Sequence, residues 1–177
     1  MRNLKLACVI KNICEKANPG KKAMQKIVYF LQERGFNFGY VYGIHHYGPY
    51  CKTLENDIQV LELDGVVKRE QYGSSLLIKP SEYIDLYIDD YKDKCINEKE
   101  KTILKYVIDN FVTKTPLELE LLSTVHFVVK ELQRKEDRAL ISDVVTGVES
   151  IKGDKFSEDE IQNAIKTLVS HEYLVKN

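Results

Sequence analysis

The chain has 177 residues, 44% of them hydrophobic and 30% charged, which suits one globular domain or two small lobes sharing a core. Its formal net charge of −1 excludes a global basic field that would draw it to nucleic acid or anionic lipid. Four cysteines (Cys8, Cys14, Cys51, Cys95) match neither a zinc pattern nor a disulfide framework, and no apolar run approaches the roughly 20 residues that span a bilayer. With no secretory signal pattern at its start, the chain reads as reduced, cytoplasmic and without a membrane partner.

Leu6, Val9, Ile10, Ile13, Cys14 and Ala17 recur at helical spacing and predict a helix over 3–17, stopped by Asn18-Pro19-Gly20. A second helix, over 20–34, carries Met24, Ile27, Val28 and Leu31 and ends at Gly35. The period then changes. Phe36, Phe38, Tyr40, Tyr42, Ile44 and His46 alternate, predicting a strand over 36–47 with one aromatic face. Gly48-Pro49 predicts the start of the next helix, whose stripe is Tyr50, Leu54, Ile58 and Leu61, closed by Asp64-Gly65. Val66–Tyr72 and Leu76–Lys79 around Gly73-Ser74-Ser75 read as a β-hairpin. This order predicts a winged-helix-like lobe over 1–80 with the hairpin as its wing.

Residues 81–177 read as a helical lobe. Ile84, Tyr87, Ile88 and Tyr91 line one helix, and Leu104, Val107, Ile108 and Phe111 another, capped by Asn97 with Glu100. Thr115-Pro116-Leu117-Glu118 reads as a capping box that opens a helix to about Leu132. Apolar nearly all round, that helix predicts a buried strut. Ile141, Val144, Val145 and Val148 form a further short helix, and Ser157 with Glu160 caps the last one, carrying Ile161, Ala164, Ile165 and Leu168. The chain closes on a β-like Tyr173-Leu174-Val175-Lys176. The spacing of Leu54, Ile58 and Leu61 repeats in Ile161, Ile165 and Leu168, as in a second, truncated winged-helix-like unit, although any amphipathic helix shares it. The fold class expected is mainly α (α+β), one compact unit of two lobes.

His45-His46 beside Tyr47 and Cys51 is the cluster closest to a metal or nucleophile pattern. Adjacent strand residues face opposite ways, so the expectation is one packed and one exposed histidine, with no metal and no cofactor. His126 falls in the buried strut as a core histidine. No P-loop, dinucleotide fingerprint, zinc-protease or nucleophile-elbow motif occurs, which predicts a protein without catalytic residues, not an enzyme.

Charge is uneven. The helix 50–64 sums to −3 and the helix 157–171 to −2, which disfavours either as a groove reader and predicts weak or no nucleic-acid binding. Residues 1–34 sum to +6 and residues 81–120 to −4, which suits an acidic protein partner or a head-to-tail homodimer. Lys21, Lys22 and Lys26 flanking Tyr40, Tyr42 and Tyr47 form the predicted protein-binding surface, with Phe36 and Phe38 turned toward the core.

Lys21-x-x-x-Gln25-Lys26-Ile27-Val28-Tyr29 is similar to a helix of the YwgA-like proteins and, more distantly, of the Panacea (SocA-like) antitoxin domain. Tyr47-Gly48-Pro49-Tyr50-Cys51-x-x-Leu54-x-x-Asp57-Ile58 resembles another run of the YwgA-like group, in which serine follows the tyrosine, and Leu117–Phe127 resembles a third. The Panacea likeness covers residues 1–65 and implies an antitoxin-like or phage- and mobile-element-associated regulator. Such a protein acts by direct contact with a protein, such as a toxin encoded by a neighbouring gene. The alternative is a winged-helix DNA-binding transcriptional regulator.

Overall fold

The computed structural model describes residues 2–89, 95–136 and 139–175, so the expectations at Tyr91 and Lys176 lie outside the described residues. In chain order the elements are α1 (Arg2–Cys14), α2 (Lys21–Glu33), β1 (Gly43–His45), β2 (Gly48–Tyr50), α3 (Lys52–Leu63), β3 (Val67–Tyr72), β4 (Ser75–Pro80), α4 (Ile84–Asp89), α5 (Glu98–Phe111), α6 (Pro116–Glu136), α7 (Ile141–Lys152) and α8 (Glu158–Ser170). The fold is mainly helical, with two antiparallel hairpins, β1–β2 and β3–β4, among the described residues. No helix among these residues is long and apolar enough to cross a membrane.

Contacts divide the chain into two units, residues 1–42 with 51–115, and residues 43–50 with 116–177. The sequence pattern places the division at 80/81 instead. α4 and α5 stay with the first unit because their partners are there: Lys5 reaches Glu100 at 2.5 Å, and the Phe30 and Phe111 rings lie 4.7 Å apart.

In the first unit α1 and α2 bury the faces their spacing predicts, and Leu6, Val9, Ile10, Met24, Ile27 and Phe30 are fully enclosed. α2 and α3 end alike. Gly35 and Gly65 take left-handed backbone, and the next residues, Phe36 and Val66, donate to the carbonyls of Leu31 and Leu61. The β3–β4 hairpin turns at Gly73, as its sequence indicates. The Ile78 amide also donates to the Pro19 carbonyl at 3.0 Å and Gly20 bridges Leu77, so the stop between α1 and α2 adds a short third edge.

Residues 36–42 correct the sequence reading. Alternation survives, with the Phe36, Phe38 and Tyr40 rings stacked 4.6 and 5.2 Å apart and buried, but no strand ladder forms there. The backbone is held by a side chain instead. The Gln32 amide donates to the Tyr40 carbonyl at 2.7 Å and accepts from the Tyr40 N–H at 2.8 Å, satisfying both groups as a strand neighbour would. The next helix likewise starts later than Gly48-Pro49. Those residues pair as β2, and α3 begins at Lys52, capped by the Cys51 sulfur accepting from the Leu54 N–H at 3.4 Å. Sulfur does here what a serine hydroxyl does at other helix starts.

In the second unit α6 is enclosed on nearly every side from Leu119 to Val129, as its composition predicts. Asn97 of the first unit and Ser157 of the second each cap a helix reciprocally with a glutamate three residues on. After α8 the expected β-like ending is absent among the described residues. Glu172, at φ 58°, takes the left-handed cap position, and Tyr173 donates to the Leu168 carbonyl. The α8 echo of α3 thus extends to the helix end but not to a wing.

Gly147 of α7 lies against α6, where an added Cβ would sit 2.7 Å from Val128 Cγ1. Gly147→Ala should therefore lower the unfolding free energy by about 1–3 kcal/mol, the range for overpacking. Adding Val128→Ala should return part of that loss, a coupling read from a double-mutant cycle of urea midpoints.

Candidate functional site

The segment from Tyr40 to Cys51 is held at both roots by one helix. On α2, Gln25 and Gln32 stand seven residues apart, two turns along one face. Gln32 clamps Tyr40, and the buried Gln25 amide does the same for Cys51, donating to its carbonyl and accepting from its N–H, both at 3.0 Å. Between these roots the chain forms β1–β2, with Gly43 opposite Tyr50, Ile44 opposite Pro49 and His45 opposite Gly48. Gly48 at φ 88° allows the return after the two-residue turn His46-Tyr47.

The hairpin belongs to the second unit, where β2 packs on α6 and buries Gly48 and Pro49. Its turn is pinned from below. The Lys152 ammonium, with its side chain buried, donates to the His46 carbonyl at 2.6 Å and to Glu120 Oε1 at 2.8 Å. Lys155 adds a second contact to the same oxygen at 2.7 Å. Burial works against the Glu120 charge, but the hydrogen bonds from Lys152 and Lys155 outweigh it and hold the carboxyl below its usual range. Burial pulls the Lys152 ammonium below its usual value, against the opposing hydrogen bond to Glu120.

Above this anchor stand Ile44, His45, His46 and Tyr47, all exposed. Both histidines face out, which corrects the expectation of one packed and one exposed. The hairpin is three residues a side. His45 lies 5.6 Å from the Tyr50 ring, and His46 meets Tyr47 edge-on at 5.0 Å.

The other residues of the predicted binding surface are scattered. Tyr40 is buried, its hydroxyl donating to Asp57 Oδ2 at 2.9 Å, and burial followed by the Asp57 charge pushes its pKa well up. Tyr42 is half-buried edge-on against Tyr29 at 5.1 Å, and burial raises its pKa as well. Lys26 is also buried, so it cannot present its charge to a partner. Lys21 is half-exposed but bound to Glu55 Oε1 at 2.9 Å, and Lys22 is exposed. Only Tyr47 of the three tyrosines reaches the exposed hairpin tip. The regular strand that was to put Tyr40 and Tyr42 on one face is absent among the described residues.

No protein-family model and no curated protein matches this chain.

Cys51 is buried with its sulfur engaged as a helix cap, and no third His, Cys, Asp or Glu joins the histidines into a metal-holding group among the described residues. His126 is buried in α6, edge-on to Tyr173 at 5.7 Å. A groove of about 450 Å³ in the first unit is lined by Lys101 and Lys105, which are paired with Glu98 and Asp109. From sequence Gln25 stands out only as a motif position, and neither its clamping role, nor that of Gln32, nor the Lys152–Glu120 anchor was assigned. The glutamines do leave a trace, as amides seven apart on either side of the apolar run Ile27–Leu31, whereas nothing near Lys152 in sequence marks its partner 32 residues away.

Proposed function

We propose that the chain is a non-catalytic protein-binding module, antitoxin-like or a mobile-element-associated regulator, that engages its partner through the β1–β2 hairpin. One observation carries this reading. An apolar and aromatic tip (Ile44, His45, His46, Tyr47) is left exposed on a hairpin whose roots and turn are each fixed by buried hydrogen bonds. A pre-fixed tip loses little conformational entropy on binding, and exposed aromatics provide contact area with a polar handle. The winged-helix-like description of the first unit is part of the same proposal. It is supported by the order α1, Pro19-Gly20 edge, α2, α3, β3, β4, with the edge paired to the wing. Membership of the YwgA-like group, a truncated second winged-helix-like unit, and a cytoplasmic setting for the free thiols complete it.

The test is capture of the neighbouring gene's product by the purified chain. Ile44→Ala with Tyr47→Ala should weaken capture about ten-fold or more while lowering the melting temperature by only a few degrees, because the two residues keep 40% and 41% of their surface exposed. Capture by the double variant at wild-type strength refutes the hairpin as the interface.

A further inference from the structure

Summed along its length, α3 is acidic, but the acids do not face outward. Glu55 and Asp57 are buried. Glu55 lies against Lys21 at 2.9 Å and Arg69 at 3.4 Å, and Arg69 also reaches Glu62 at 3.0 Å. On the opposite flank Arg2 grips Asp57 at 2.6 and 3.2 Å, while Tyr40 donates to the same carboxylate. Each of these acids is thus matched by a cation of the first unit.

The outward face carries Lys52, Thr53, Asn56, Gln59, Val60 and Leu63, all exposed and spaced within one stripe of a helix, with exposed Asp64 just past its end as an unmatched acid. Two amides one turn apart, a lysine at the helix start and apolar groups toward its end match the edges displayed in a DNA major groove. Asn and Gln pair with adenine, Lys with guanine or phosphate, and apolar groups with the thymine methyl. The backbone has its counterpart too. The Gln25 clamp on Cys51 brings the first turns of α2 to the start of α3, so exposed Lys22 and Lys52 stand at one end of the stripe.

We infer that the first unit docks duplex DNA, with the outward face of α3 in the major groove and the start of α2 against the phosphates. This goes beyond the hairpin reading and uses a different unit, so either can fail alone.

The experiment is selection by the full chain from a pool of randomised duplexes, then anisotropy titration of the enriched duplex and a scrambled one. Adenine-containing steps should be enriched. Asn56→Ala with Gln59→Ala should erase preference for the enriched duplex by at least about five-fold and leave the scrambled affinity intact. Lys22→Ala and Lys52→Ala should weaken both duplexes and each lower the log–log salt slope by about 0.9. All four side chains are exposed, so the variants should keep the wild-type melting temperature. The inference is overturned if no duplex is enriched, if the amide variant keeps its preference, or if single-stranded RNA competes as well as the enriched duplex.

Discussion

Replacing Tyr40 by alanine should lower the unfolding free energy by about 3–5 kcal/mol, the range for emptying a buried aromatic site. The ring is the last of the Phe36–Phe38–Tyr40 stack, and Arg2 lies 5.4 Å over its centre. Its hydroxyl shares Asp57 with that same arginine. Truncation therefore opens a cavity and removes one donor from a buried carboxylate. Tyr40→Phe separates the two effects. It keeps the stack and loses only the charge-assisted hydrogen bond, for a cost of about 1.5–3 kcal/mol. Urea denaturation measures both, and an unchanged midpoint for the alanine variant would return Tyr40 to the surface. The same burial means that loss of partner capture on Tyr40 substitution reports unfolding, whereas loss at Tyr47 reports the interface.

Lys152→Ala should cost about 3 kcal/mol, the low end for breaking a buried ion pair, because Lys155 stays on the abandoned Glu120. The loss should be concentrated in the hairpin, since the His46 carbonyl loses its donor. Hydrogen exchange across residues 43–50 should accelerate in this variant, while the amides of α1 and α2 keep their protection. Acid tests the other end of the pair. The Glu120 carboxyl is held below its ordinary value of 4.5, so its contribution is fully present above that pH. It is lost as pH falls through the depressed folded value. Glu120→Gln should remove that part of the acid dependence and lower stability at neutral pH. Equal acid sensitivity in wild type and variant would show that the anchor is not ionised as described.

Local chemistry was legible wherever a residue's role is decided by neighbours in the chain. The stripes of α1 and α2, the glycine stops at Gly35 and Gly65, the capping residues Asn97 and Ser157, the Gly73 turn and the enclosed α6 all follow from spacing and backbone preference within a few residues. The exposure of Tyr47 was likewise expected, because a buried tyrosine hydroxyl needs a partner.

What only the tertiary structure decided are the matters settled by residues far away in sequence. Alternation over 36–42 implies a strand only if a ladder is available, and here the Gln32 side chain takes its place. Gly48-Pro49 starts a helix or ends a hairpin with equal local ease, and packing of β2 on α6 chooses the hairpin. Lys26 looks like a surface charge and is buried. The charge of α3, summed along the helix, says nothing about direction. Arg2, Lys21 and Arg69, brought from three other elements, neutralise its flanks and leave a face with two amides and Lys52 outward. By itself the sequence determined which segments are helices, several of their caps and stops, and which faces turn inward, because those depend on periodicity and capping. Which polar groups are consumed inside and which remain for a partner depended on pairings across 7 to 106 residues of chain, and those exist only once the chain has folded.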